Sequence, residues 1–175
     1  MGFHVCWIAV RNKAPIQVLA TLRLKETTNR EYVPESQITG TALPSGWYLV
    51  FFNDPLPPEM GDDTLSKLSN DTELIACVVE EASMVSWARG YSEGANQWSV
   101  VHDANQGLNH LEERGIFPGS YFAVRDRLLE KCRAGAAVDY LFDLPAELSK
   151  LSIGFRHDED IEGVDGDPFV VLERL

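Results

Sequence analysis

Between Glu73 and Asp103 the chain carries three β-rich segments: ELIACVVEE at 73–81, MVSWARG at 84–90 and QWSVVHD at 97–103. The turn-like stretch YSEGAN at 91–96 separates the last two. Apolar β-branched and aromatic residues bounded by Gly, Asn and Ser read as strands joined by a hairpin, so this region predicts an antiparallel three-strand meander. Such a sheet needs cover for its apolar surface, and the helices predicted elsewhere are expected to pack on one face of it.

Other segments supply the remaining elements. FHVCWIAV at 3–10 predicts a buried strand, with Phe3, Val5, Trp7 and Ala9 on one face and His4, Cys6, Ile8 and Val10 on the other. PIQVLATLRL at 15–24 predicts a helix on the spacing of Ile16, Leu19, Ala20 and Leu22, with Pro15 in its first turn. Residues 25–45 are polar, contain Pro34, Gly40 and Pro44, and read as a long connection. WYLVFFN at 47–53 is apolar apart from its last residue and predicts a central strand buried on both sides. Residues 54–63, with prolines at 55, 57 and 58, read as a stiff loop; a short helix at 64–69 follows, with Asp62 or Asp63 as its N-cap. Helices are predicted over 120–133 and 145–152, and a terminal strand over 169–175. A chain of 175 residues, 45% of them hydrophobic, is enough for one core. The reading is a single α+β domain spanning 1–175, built on a mostly antiparallel sheet.

Charge excludes several classes of partner. With 15 Lys and Arg against 27 Asp and Glu, the net charge is −12, and no basic cluster is available to neutralise phosphates, so nucleic acid is not an expected ligand. No apolar run approaches the roughly 20 residues of a membrane-spanning helix. The opening MGFHVCWIAVRNK lacks the features of a secretory signal, which predicts a cytoplasmic protein. Cys6, Cys77 and Cys132 are too few and too dispersed for a disulfide framework or a zinc site. Phosphate-binding glycine motifs are missing, and no cofactor or metal is expected. DEDIEGVDGD at 158–167 partly imitates a calcium loop, but the twelfth position, which requires Glu, is Phe169.

Two groups of residues could carry function. A hairpin turn centred on Glu93 and Gly94 would set Arg89 opposite Trp98, Trp87 opposite Val100 and Val85 opposite His102, all on one face. Trp87, Arg89 and Trp98 would then form a recognition surface, or the same face would pack against the long helix. The second group is an acid–base constellation of His102, Arg156 and His157 with the carboxylates Glu80 and Glu81. Its alternative is a local Arg–Asp interaction beside a solvated histidine. His102 and Asp103, adjacent on a strand, point to opposite faces and cannot pair.

Charge is also unevenly distributed: residues 1–53 carry 5 basic and 3 acidic side chains, while 54–175 carry 10 and 24. A non-catalytic binding module follows as the leading expectation, in which Asp158, Glu159 and Asp160 attract a basic protein and the tryptophan hairpin anchors it. In size and charge, though by no motif, the chain is similar to small acidic bacterial immunity or antitoxin-like proteins that block a cationic toxin. The rival expectation is a small-molecule-binding protein or hydrolase-like enzyme whose cleft uses His102, Arg156, His157 and Glu81.

Overall fold

A computed structural model describes residues 2–135 and 137–175. The chain forms nine strands in one fully antiparallel sheet together with four α-helices among these residues. The strands are β1 (His4–Arg11), β2 (Leu24–Glu31), β3 (Ile38–Ala42), β4 (Trp47–Phe52), β5 (Glu73–Glu80), β6 (Val85–Ser92), β7 (Ala95–Asp103), β8 (Glu112–Gly115) and β9 (Phe169–Arg174). Their spatial order is β2-β9-β3-β4-β1-β5-β6-β7-β8. The helices are α1 (Pro15–Leu22), α2 (Asp62–Leu68), α3 (Tyr121–Arg133) and α4 (Leu144–Ile153). No helix among the described residues is long and apolar enough to cross a membrane.

The α+β class and the meander of β5, β6 and β7 are present, but the meander is only one third of a much larger sheet. Its centre is β4-β1-β5, three strands apolar on both sides. Trp7, Leu49, Phe51 and Cys77 enter one core, and Ile8, Val50, Phe52 and Ala76 enter a second core across the sheet. With both faces apolar, both need cover. The expectation that the helices share one face is therefore corrected: α1 and α2 contribute Val18, Leu22, Leu65 and Leu68 to one core, while α3 and α4 contribute Tyr121, Leu128, Leu144 and Leu148 to the other. On α1 the buried set is Val18, Leu19 and Leu22, and the predicted core residue Ile16 is 76% exposed.

Residues 25–45 are not a mere connection, since they contain most of β2 and all of β3. Polar edge strands are easily missed: β2 (LKETTNRE) buries only Leu24, and β8 (EERG) buries nothing. The charge that hides them from a hydrophobicity reading also protects the open sheet edges from pairing with other chains.

The hairpin is corrected by one residue. Glu93 and Gly94 do form the turn, with φ of 50° and 75°, as a tight two-residue hairpin requires. A bulge next to Tyr91 then shifts the ladder, so Gly90 faces Trp98, Ala88 faces Val100 and Ser86 faces His102. Trp98 and His102 consequently enter the core under α3 and α4, while Trp87 and Arg89 project from the opposite face. Gly90 is needed there because a Cβ would stand 2.1 Å from Trp98 Nε1.

Candidate functional site

Over β5 and β6 the sheet is covered by α4, whereas over β9, β3 and β4 the cover is an irregular segment following α4. A cleft of about 580 Å³ opens between that segment and the sheet. It lies where β1 and β9 begin and where β2 and β4 end, a coincidence that the antiparallel order produces.

The alternation of each strand supplies the floor. Val5 of β1, Phe51 of β4 and Phe169 of β9 point into the same core, and Phe155 from the irregular segment meets them. Phe51 and Phe155 lie 5.9 Å apart at 72°, and Phe155 and Phe169 lie 6.4 Å apart at 71°, edge-to-face arrangements typical of packed aromatic rings. The walls are exposed aromatics, Phe3 at 41% and Tyr32 at 56%. Phe3 is held by its backbone N–H, which donates to Glu81 Oε2 at 2.9 Å.

His157 also lines the cleft. Its ring stacks on Trp7 at 5.6 Å and meets Phe3 edge-on at 4.5 Å, leaving the side chain 4% exposed. Burial lowers its pKa below the ordinary histidine value, so the neutral ring is favoured. Nδ1 is buried without a hydrogen-bond partner among the described residues, and the nearest carboxylate oxygen, on Asp158, stands 3.9 Å away.

The rim is acidic. Glu35, Asp158, Glu159 and Asp160 line the opening, and no Lys or Arg does. Two of these carboxylates are engaged. Asp158 accepts from Arg156 Nε at 2.6 Å and Nη2 at 3.1 Å, and Glu159 pairs with Lys150. Burial opposes ionisation of Asp158, but the Arg156 hydrogen bonds outweigh it and hold the carboxyl below its usual range. Glu35 and Asp160 have no Lys or Arg partner among the described residues. Asp160 sits beside Tyr32, whose phenol it makes harder to ionise.

The predicted acid–base constellation is divided by the structure. Arg156 is a structural hub, with Asp143 at 3.3 Å and Glu147 at 2.7 Å besides Asp158. His157 is beside it in sequence but buried against aromatics, not solvated. Glu81 anchors Phe3, and Glu80 pairs with His4. His102 is fully buried elsewhere: Nδ1 meets the His110 carbonyl at 2.8 Å and Nε2 meets Asp139 Oδ2 at 2.8 Å. Both ring nitrogens are engaged, Nδ1 with a backbone carbonyl and Nε2 with a carboxylate. Its two nitrogens are thereby occupied and the ring is closed to solvent, which gives it a structural position.

The predicted recognition surface is also divided. Arg89 does stack on an indole, but on Trp87, with its guanidinium carbon 4.5 Å from the ring centroid. Arg89 also donates to Asp62 of α2 at 3.0 Å. Trp98 is buried in the other core beside Phe117. The cleft residues Phe3, Tyr32, Glu35, Phe51, Phe155 and Phe169 were not distinguished as a site by sequence. The alternation that puts Phe3 with Val5 and Trp7 was readable, but the convergence of five separate segments was not.

No protein family, no curated protein and no solved structure matches the chain.

Proposed function

We propose that this protein is a non-catalytic binding module whose recognition site is the acid-rimmed aromatic cleft, and that its partner is a basic protein which inserts a cationic side chain there. One observation carries the reading: a cleft of ligand-pocket size, walled by the exposed aromatics Phe3 and Tyr32, is lined by four carboxylates and by no Lys or Arg. The exposed aromatic walls reward burial of a side-chain stem, and Glu35 and Asp160, which pair with no Lys or Arg among the described residues, reward the charge at its end. The net charge of −12 extends the attraction beyond the cleft and raises the rate of encounter. The anchor thus moves from the tryptophan hairpin to the cleft.

The chemistry of the cleft favours binding over turnover. His157 has no carboxylate within hydrogen-bond reach to orient it, and Asp158 is committed to Arg156. A general base needs such support and an adjacent nucleophile or water path. The cleft volume also favours a second reading, a small organic cation in place of a protein side chain, because it lies within the range of ordinary ligand pockets.

Calorimetric titration with short basic peptides that carry one Lys or Arg next to apolar residues tests the proposal. The Glu35→Gln/Asp160→Asn protein should bind about tenfold more weakly than the parent at low salt, and the two should converge at high salt. Equal affinity at low salt would overturn the assignment of the cleft.

A further inference from the structure

Resting on the cleft being the binding site, we infer that His157 is a ligand-contacting residue there: an N–H of the inserted cationic side chain donates to Nδ1 of the uncharged ring, so binding and protonation of His157 oppose each other.

Three buried side-chain polar atoms lack a hydrogen-bond partner among the described residues: Thr39 Oγ1, Tyr48 Oη and His157 Nδ1. Of the three residues, only His157 lines the cleft. A buried nitrogen left unpaired costs free energy, which a partner arriving with the ligand recovers. The chain itself does not supply that partner. Asp158, the nearest carboxylate at 3.9 Å, already accepts two hydrogen bonds from Arg156. The ring is meanwhile held in place, stacked on Trp7, whose indole N–H donates to Ser149. Its position is therefore set before the ligand arrives. Phe3 packs edge-on against the ring and is 41% exposed, while its backbone is tied to Glu81 by two hydrogen bonds of 2.9 Å. Rotation of that side chain on a fixed backbone opens the nitrogen to the cleft.

Other polar groups of the lining also suit a donor. Asn53 spends both side-chain N–H groups on the carbonyls of Pro34 and Ser36, at 2.8 and 2.7 Å, which leaves its Oδ1 as an acceptor. The carboxylates of Glu35 and Asp160 are acceptors as well.

The charge state of His157 decides whether it takes part. Uncharged, the ring has one nitrogen that accepts; protonated, both nitrogens donate and the ring repels a cation. On its own segment the neighbouring charges are Arg156 and Asp158, which pair with each other, and the turn after β5 adds Glu81, engaged with Phe3. Trp7 of β1 and Phe3 before it add no charge. Burial lowers the pKa of His157, which keeps the ring neutral near pH 7.

The probe is an acetylated and amidated Leu-Lys-Leu peptide, whose single charge does not titrate between pH 5 and 8, added to the full chain. NMR follows the His157 ring resonances against pH, assigned by their loss in His157→Asn. Their midpoint should fall by about one pH unit or more when peptide saturates the cleft, because the two equilibria oppose each other by the same factor. An unmoved or rising midpoint would overturn the inference. At pH 8, calorimetry should show His157→Phe, which keeps a stacked ring without a nitrogen, binding about tenfold more weakly than the parent. His157→Asn, whose amide stands where Nδ1 stood, should recover part of the loss. If Glu35→Gln/Asp160→Asn weakens the peptide and His157→Phe does not, the cleft stands and the contact with His157 is overturned. No binding of the peptide to the parent at millimolar concentration would overturn both.

Discussion

The His157 imidazole lies stacked on the Trp7 indole, with ring centroids 5.6 Å apart and planes inclined by 27°. Trp7 is itself fixed from both directions. It lies in the central strand β1, and its Nε1–H donates to Ser149 Oγ of α4 at 2.9 Å. Ser149 Oγ in turn donates to the carbonyl of Phe155 at 3.0 Å, so one chain of contacts ties sheet, helix and cleft segment together. The cleft is open at its mouth and rigid at its base.

Stability should depend on pH through His157. Burial sets its folded pKa below the ordinary value of 6.5, so in the window beneath that value the unfolded chain binds the extra proton and the folded one does not. The contribution is fully present above the unfolded pKa and is lost as pH falls toward the folded pKa. Urea unfolding followed between pH 8 and about 5 should show declining stability in the parent and a flatter profile in His157→Gln. Parallel profiles would refute the role of this residue. Asp158, whose folded pKa lies below 3.8, adds stability that disappears only at still lower pH.

Arg156→Ala should destabilise the protein by about 2–3 kcal/mol, because three carboxylates lose a common, largely buried hydrogen-bond donor. Arg156→Lys should recover only part of this, since an ammonium cannot form the paired contact with Asp158. Thermal or urea unfolding measures both. Equal stability of all three proteins would show the network to be energetically idle.

Gly90→Ala should cost about 1–3 kcal/mol, as the new methyl would collide with the Trp98 indole. Combining it with Trp98→Val removes the collision, so the double substitution should cost less than the sum of the two singles. Strict additivity would mean that the indole does not lie over Gly90.

Asp139→Ala should destabilise by about 1–3 kcal/mol, because it leaves the buried His102 Nε2 without its hydrogen-bond partner. Ligand affinity per folded molecule should be unchanged, as His102 is not among the residues lining the cleft. A loss of affinity in a fully folded variant would instead connect the two regions.

The strongly apolar segments of this fold were legible in the sequence. The alternation within 3–10 correctly separates Val5 and Trp7 from Cys6 and Ile8, because successive strand side chains point to opposite faces. The segment 47–52 is buried throughout, as its unbroken apolar run requires. The helices at 121–133 and 144–153 lie within one or two residues of their predicted ends. The hairpin register was not legible, because a single bulged residue reverses the face of every side chain beyond it.

By itself, then, the sequence determined the α+β class, the central strands, the main helices and the acidic balance, since these rest on composition and on the short-range periods of strand and helix. Tertiary structure alone decided which face each helix covers, where polar edge strands pair, and that Asp139 meets His102. The cleft belongs to the second group. Phe3, Tyr32, Phe51, Phe155 and Phe169 come together only because antiparallel pairing brings distant segments to one end of the sheet, and no local pattern encodes which strands become neighbours.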